Sequence, residues 1–552
     1  MHTAALLLGA ALAAPRDPAL PLLDAPLRQA AAQVRKGDAP TLVHALPEVA
    51  SPDAVLVTLE LDGDAAPLAW PVRAEARIDA RTRWVQVRVP WAELALLGDT
   101  PGLRRARLPH LAREKRGAED RGEVVSEGLA QIFRDGDWIE SGLDGRRVDV
   151  VIADVGFAGA ESVDDELPRN TRLSASEGFD ATAHGTAVTE VVGDLAPRVR
   201  VRLRHFTTGV AFLELMEDLS EERRAELVNG SIGFDNVWPA DGTSPYTRAV
   251  DGLADAGALW VGAAGNEGGR YLAGPLDDGP AGLRIASEDG AWVPVVDGVA
   301  EASLRWNEPM SGAAVDLDLV AYDEDGAPCG RADDPQDGGS SAPTETLVAA
   351  CPGSHAWVQV VRGTPDADPS GLTAWLYSPW GLSPAVVADG LGVLTLPADT
   401  RRGLAVGACD RDADAAPAYS SWGPTEDGRT KPDLCAPDAV STASYGEEGF
   451  VGTSASTPHV TGFAALVAQG ERLKGEPQAL RDAVLARTVD LGDPGQDDIF
   501  GEGALDAGAA PEGCRCGTSG RSPVGLAWLA LVGAVSALRR RGKRRAPGIP
   551  RP

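Results

Sequence analysis

Four residues in this sequence are of types that do chemistry together: a serine, a histidine, an aspartate and an asparagine. Ser454 stands in the stretch Gly449 to Gly470, GFVGTSASTPHVTGFAALVAQG. A serine hydroxyl becomes a nucleophile when a base takes its proton, an acid orients that base, and a donor receives the negative oxygen that forms on the substrate. His184, in Ala183-His-Gly-Thr-Ala-Val, is the right type for the base. Asp154, in Asp154-Val-Gly156, is the right type for the acid, and Asn266, in Ala263-Ala-Gly-Asn-Glu-Gly268, carries a side-chain N–H suited to an oxyanion. Taken singly, each has an ordinary structural role: an N-cap serine, a helix-start histidine, a strand-ending aspartate, a turn asparagine. Taken together, they are a set for acyl transfer.

The elements that must position these residues are legible from periodicity. Gly452, Thr453 and Ser454 are small enough for a tight turn. Pro458 is expected in the first turn of a helix, whose apolar positions Val460, Phe463, Ala464, Leu466 and Val467 recur at helical spacing. A serine at that helix start meets backbone N–H groups and a dipole that favour negative charge. Val148 to Ala153 is an apolar run of strand length ending at Asp154. An acid at the carboxyl end of such a strand lies where open α/β sheets build their sites. His184 opens a helical pattern. Glu226 to Gly233 and Ala258 to Gly265 read as two more buried strands, with a crossover helix from Tyr246 to Ala256 between them. Strand, helix, strand implies a parallel sheet with right-handed crossovers.

Asp154, His184, Asn266 and Ser454 follow one another in the chain, and acid, then histidine, then serine is the order of the subtilisin triad. The stretch from about Val125 to Ala510, apart from one long insertion, resembles the subtilisin family of serine proteases. Asp154-Val-Gly, His184-Gly-Thr, Ala263-Ala-Gly-Asn-Glu-Gly and Gly452-Thr-Ser-Ala-Ser-Thr-Pro-His are similar to its four signature segments. Tyr419-Ser-Ser-Trp-Gly-Pro and Lys431-Pro-Asp-Leu-Cys-Ala-Pro437 match a fifth. The resemblance implies Ser454 as nucleophile, His184 as base, Asp154 as its orienting acid, and Asn266 with the Ser454 N–H as oxyanion donors. It implies that Ser231, Ile232 and Gly233 pair with an extended substrate. With Ala263, Ala264 and Gly265 they would wall the primary pocket. Two residues depart from the pattern: Val155 where a serine or threonine is usual, and Ala455 where methionine is common. His459 follows the serine too closely on one helix to be the base and is read as structural.

The remaining chain divides by composition. Residues 1–14 read as a signal peptide without the usual basic start. Residues 15–116 form an α+β unit with strands at Ala54 to Leu61, Trp84 to Val89 and Gly102 to Leu108. Its second half is basic, with Arg73, Arg77, Arg81, Arg83, Arg88, Arg104, Arg105 and Arg107. By layout it resembles the family's inhibitory propeptide, and a basic unit beside an acidic one implies complementary docking. Arg113 to Gly122 is a charged linker open to nicking. The catalytic domain is expected over residues 122–269 and 397–510, interrupted at 270–396 by an inserted β-sandwich with short strands and turn signals. Asp316, Asp318, Asp323 and Asp325 are candidate calcium ligands, although Asp323 to Gly326 also reads as a hairpin turn. No cofactor is otherwise expected. Cys329 with Cys351, and Cys409 with Cys435, are candidate disulfide pairs.

Residues 511–552 carry Cys514 and Cys516, an uncharged run from Val524 to Leu538, and the basic cluster Arg539 to Arg545. The run is shorter than the roughly 17–25 residues of a permanent span. The arrangement resembles a MYXO-CTERM-type sorting tail, which implies a membrane or surface anchor. The 552 residues carry a net charge of −30, which argues against nucleic acid as a partner. The expected fold is α/β, a mostly parallel sheet with helices on both faces, and the expected state a monomer. The expected function is a secreted or cell-surface serine endopeptidase acting on protein or peptide substrates, with its own propeptide as inhibitor. The alternative is a weak or silent surface protein that binds through the inserted sandwich.

Overall fold

The computed structural model describes residues 22–63, 68–112, 124–134, 138, 141–163, 165–172, 181–280, 282–410 and 412–509. The expected signal segment, the linker Arg113 to Gly122 and the sorting tail with Cys514 and Cys516 lie outside these residues. Among the described residues no helix is long and apolar enough to cross a membrane.

The N-terminal unit is a helix, Ala25–Lys36, and a four-stranded antiparallel sheet of β1 (Ala54–Asp62), β2 (Val72–Arg77), β3 (Thr82–Pro90) and β4 (Leu103–Arg107), in the order β2-β3-β1-β4. The helix starts where the Asp24 side chain accepts from the Leu27 N–H and ends at Gly37. Strand β2 escapes pattern reading because its buried positions hold only alanines, Ala74 and Ala76, between charged neighbours.

The main sheet contains β5 (Asp149–Asp154), β6 (Arg200–His205), β7 (Leu227–Gly230) and β8 (Leu259–Ala263). The insertion follows with β9 (Tyr271–Asp278), β10 (Leu283–Ile285), β11 (Ala291–Val296), β12 (Val299–Trp306), β13 (Leu317–Tyr322), β14 (Pro328–Ala332), β15 (Thr344–Ala350), β16 (His355–Arg362), β17 (Thr373–Tyr377) and β18 (Val386–Val387). The main domain resumes with β19 (Leu404–Ala408), β20 (Leu434–Ala436), the hairpin β21 (Val440–Thr442) and β22 (Gly446–Phe450), and finally β23 (Thr488–Val489) and β24 (Ala504–Leu505).

Main-sheet order is β23-β24-β20-β19-β8-β7-β5-β6, all parallel except β23. Both faces are covered, which is why β5 reads as an unbroken apolar run. Val150 and Ile152 pack with the helices His184–Leu195 and Thr453–Gly470, while Val151 and Ala153 pack with Gly209–Glu222 and Pro245–Gly252. The chain leaves β5 for β6 on one side and β7 on the other, so the strand order reverses at β5. A crevice opens at the carboxyl ends of strands at such a point, and Asp154 is the last residue of β5.

The Thr453–Gly470 helix begins earlier than its proline implies. Pro458 lies inside it, in the second turn. Because proline lacks an N–H, the Ser454 carbonyl has no donor four residues on, and the Ser231 hydroxyl donates to it at 3.1 Å instead.

The inserted segment is all-β, as expected, but it is not two separate sheets. Strands β10, β9, β17, β12, β11 and β16 each pair with the next, and β16 pairs again with β10, so they close a ring. Strand β11 closes one corner: its end pairs with β12 and its beginning with β16. The result is a barrel around Leu272, Leu304, Trp306, Val358 and Leu376, with β13, β14, β15 and β18 paired outside the ring. Among the described residues there are two disulfides, Cys329–Cys351 in the inserted segment and Cys409–Cys435, which ties the residue after β19 to β20.

Candidate active site

Asp154 and His184 are fully buried, and the His184 Nδ1 lies 2.9 Å from each carboxylate oxygen of Asp154. The carboxylate also accepts the Val155 N–H at 2.8 Å. Val155 thus contributes its backbone, while its side chain packs into the apolar layer under the Gly209–Glu222 helix. The histidine helix starts hard against the β5 turn: the Gly185 N–H donates to the Gly156 carbonyl at 2.9 Å. A Cβ on Gly185 would come within 2.4 Å of the Phe157 ring, so this close approach admits only glycine. The edge of Phe450 closes over the imidazole, with ring centroids 5.6 Å apart.

Ser454 is the second residue of its helix and 5% exposed. Its Oγ donates to the Ser231 carbonyl at 2.9 Å. The Ser231 hydroxyl, on the Ser454 carbonyl, accepts in turn from Asn229 Nδ2 at 3.0 Å. Ser231 therefore buttresses Ser454 as well as lining the cleft.

Asn266 lies just beyond β8. Its Oδ1 accepts the Thr453 N–H at 2.8 Å and the Thr453 hydroxyl at 3.0 Å. A backbone N–H can only donate, so this contact fixes which side of the amide is oxygen. The Nδ2 then faces Gly452, where an added Cβ would stand 2.5 Å from it. Gly452 has φ 106°, a conformation that glycine tolerates and L-residues rarely adopt. Its N–H donates to Asp438 at 2.6 Å. The Tyr419 hydroxyl also donates to Asp438. Burial and the Asp438 charge raise the Tyr419 phenol well above its usual range, so it stays a donor.

Of the residues expected to wall the pocket, Ser231, Ile232, Gly233, Ala263 and Gly265 line one cleft with Asn266 and Ser454. Ala264 does not. Its N–H is held by the Val406 carbonyl at 2.9 Å, its own carbonyl by the Thr395 N–H at 3.0 Å, and its side chain is buried. In a strand end successive side chains alternate, so the middle residue of the three must point away. The cleft is completed by residues that pattern reading missed: Asp235, Glu267, Arg270, Thr395 and Thr453. Glu267 follows Asn266 directly. Its N–H is held by the Ser421 hydroxyl at 3.0 Å, and its carboxylate lies 3.6 Å from Arg270. This gives the Tyr419-Ser-Ser-Trp segment a physical task at the site.

His459 is enclosed, with Nδ1 on the Ala455 carbonyl at 2.7 Å and Nε2 against the Ser126 hydroxyl at 2.6 Å. That pattern is the neutral imidazole, and burial lowers its pKa to about 4. Of the candidate calcium ligands, Asp316 Oδ2 and Asp318 Oδ1 lie together beside Gly363. Asp316 accepts the Gln336 N–H, Asp318 pairs with Arg331, and Asp323 accepts the N–H groups of its own turn. Among the described residues no group of three or more His, Cys, Asp or Glu is placed to hold a metal ion.

Residues 387–503 match the model of the Subtilase family. That stretch holds the Thr453–Gly470 helix, with Ser454 as its second residue. The structure is similar to that of the CspB protease of Clostridium perfringens. That protein is 17% identical, with 68% of this chain and 97% of that one covered at a TM-score of 0.48. It is also similar to the epidermin leader peptide processing serine protease of Staphylococcus aureus, 12% identical, with 82% and 98% covered at a TM-score of 0.45.

Proposed function

We propose that this chain is a secreted or cell-surface serine endopeptidase of the subtilase type. The observation that carries the reading is the fully buried Asp154–His184 pair at the carboxyl end of β5, with the His184 helix packed against the one whose second residue is Ser454. In the reaction, Ser454 Oγ leaves the Ser231 carbonyl, gives its proton to His184 Nε2 and bonds to the substrate carbonyl carbon. Asp154 holds the Nδ1–H tautomer and balances the imidazolium that forms. The carbonyl oxygen becomes an oxyanion, received by Asn266 Nδ2 and the Ser454 N–H. Collapse breaks the C–N bond, and His184 returns the proton to the leaving amine. Water then repeats the sequence on the acyl-enzyme.

We read an extended peptide as the substrate, paired along Ser231 to Gly233. The Gly209 N–H donates to the His110 carbonyl at 2.8 Å, and the Ala112 N–H to the Thr207 carbonyl at 3.0 Å. The end of the N-terminal unit thus forms one antiparallel bridge, Leu111 with Thr208, at the start of the Gly209–Glu222 helix. We read that unit as an inhibitory propeptide, released by cleavage between about Leu108 and Glu127, and the tail as an anchor processed near Cys514 or Cys516. Ser454→Ala tests the central claim. It should abolish casein hydrolysis and labelling by a fluorophosphonate while leaving the unfolding transition in place. Hydrolysis retained by the purified variant would remove the assignment.

A further inference from the structure

The N-terminal unit is gripped from two sides. Its sheet lies on the Gly209–Glu222 helix, where the Glu75 N–H donates to Glu214 at 2.6 Å and Trp84 enters the apolar layer. Its helix and β4 face the inserted barrel. Arg28 reaches Asp333 and Asp334, both at 2.7 Å, with side-chain exposure of 8% for Arg28 and 9% for Asp334. Arg105 adds a bond to Asp334 at 3.0 Å. Around these pairs, Val299 and Val348 of the barrel share one apolar cluster with Leu23 and Leu27 of the unit.

The charges on the barrel side make little sense for the barrel alone. Asp334 is buried beside Glu345, and the two carboxylates repel. The guanidinium groups that bond Asp333 and Asp334 come from the N-terminal unit. A buried acidic pair is costly until a cation arrives, and an arginine that bridges two carboxylates is selective in geometry.

We propose that the inserted barrel is the receptor for the N-terminal unit, and that its Asp333–Asp334 face keeps the unit bound as a separate chain after the connection between Ala112 and Val124 is cut. The proposal rests on the peptidase reading only for how that cut arises. The test therefore supplies the cut. In full-length Ser454→Ala, the segment 113–123 is replaced by the recognition sequence of an unrelated protease and cleaved. The two pieces are then followed by size exclusion and intact mass at about 0.15 M salt, where surface charges are largely screened. The pieces should co-elute in the parent. Asp333→Asn combined with Asp334→Asn should weaken retention at least tenfold, and Arg28→Gln should do the same from the other side. An intact Cys329–Cys351 disulfide and an unchanged melt report that the barrel is folded. Separation of the parent pieces, or equal retention in parent and variants, would overturn the proposal. Failure of the peptidase reading would instead show as an absence of casein hydrolysis by the protein that keeps Ser454.

Discussion

Gly452→Ala should disable the enzyme without unfolding it. The added Cβ would stand 2.5 Å from Asn266 Nδ2, where ordinary contact begins at 3.4 Å. The backbone at φ 106° adds strain of about 1–3 kcal/mol for a residue with a Cβ. The turn is anchored by the Gly452 N–H on Asp438 and by Asn266 on Thr453, so the amide must yield by close to an ångström. A misplacement of about 1 Å in a catalytic group costs on the order of 10²-fold. Loss of an asparagine oxyanion donor costs about 10²–10³ in kcat, a figure that is subtilisin's own. The expected outcome is therefore a fall of about 10²–10³ in kcat with KM little changed, because the donor acts on a charge that exists only in the transition state. The assay is steady-state cleavage of a fluorogenic peptide, with Asn266→Ala alongside and thermal unfolding of both variants. A folded Gly452→Ala enzyme within threefold of the parent would refute the reasoning.

Three further outcomes follow from buried groups. His459 has a folded pKa of about 4 against an ordinary 6.5. Its contribution is fully present above about pH 6.5 and is lost as pH falls towards 4, amounting to about 3 kcal/mol. In urea unfolding of the Ser454→Ala protein, His459→Asn should flatten the acid loss by that amount, and an unchanged pH slope would refute the assignment. The Cys409–Cys435 bridge closes a separation of 26 residues. Replacing both cysteines by serine should cost about 3–4 kcal/mol, read from the same unfolding curves, and an unmoved midpoint would contradict it. Trp84 is buried, with the Arg107 guanidinium 4.4 Å from its ring centroid and Tyr246 beside it. Trp84→Ala should loosen the N-terminal unit by about 3–5 kcal/mol. Limited proteolysis should then attack residues 22–112 faster, and an unchanged digestion rate would count against this docking.

Some of this protein was decided by local sequence. The strands β5, β7 and β8 are legible because burial on both faces demands unbroken apolar runs, and their carboxyl ends put Asp154 and Asn266 where polar groups meet a crevice. Ser454 is legible because a helix start among small residues is a local event. The N-terminal unit's basic half and the barrel's turn-separated strands are also local signals of composition.

Tertiary structure decided the rest, because the causes lie far apart in the chain. Pro458 looks like a helix start until Ser231, more than two hundred residues away, is seen supplying the Ser454 carbonyl with its missing donor. Ala264 looks like a pocket residue until the Val406 and Thr395 backbones claim it. Glu267 and Arg270 enter the cleft only because the chain turns there into the barrel. Closure of that barrel depends on β11 and β16 pairing with more than one neighbour, which no alternation pattern encodes. The arginines announce a basic unit, but only the fold selects Arg28 and Arg105 for Asp333 and Asp334 and leaves the others elsewhere. A burial pattern specifies which face of an element is covered. Which residues cover it is set by the packing of elements distant in sequence.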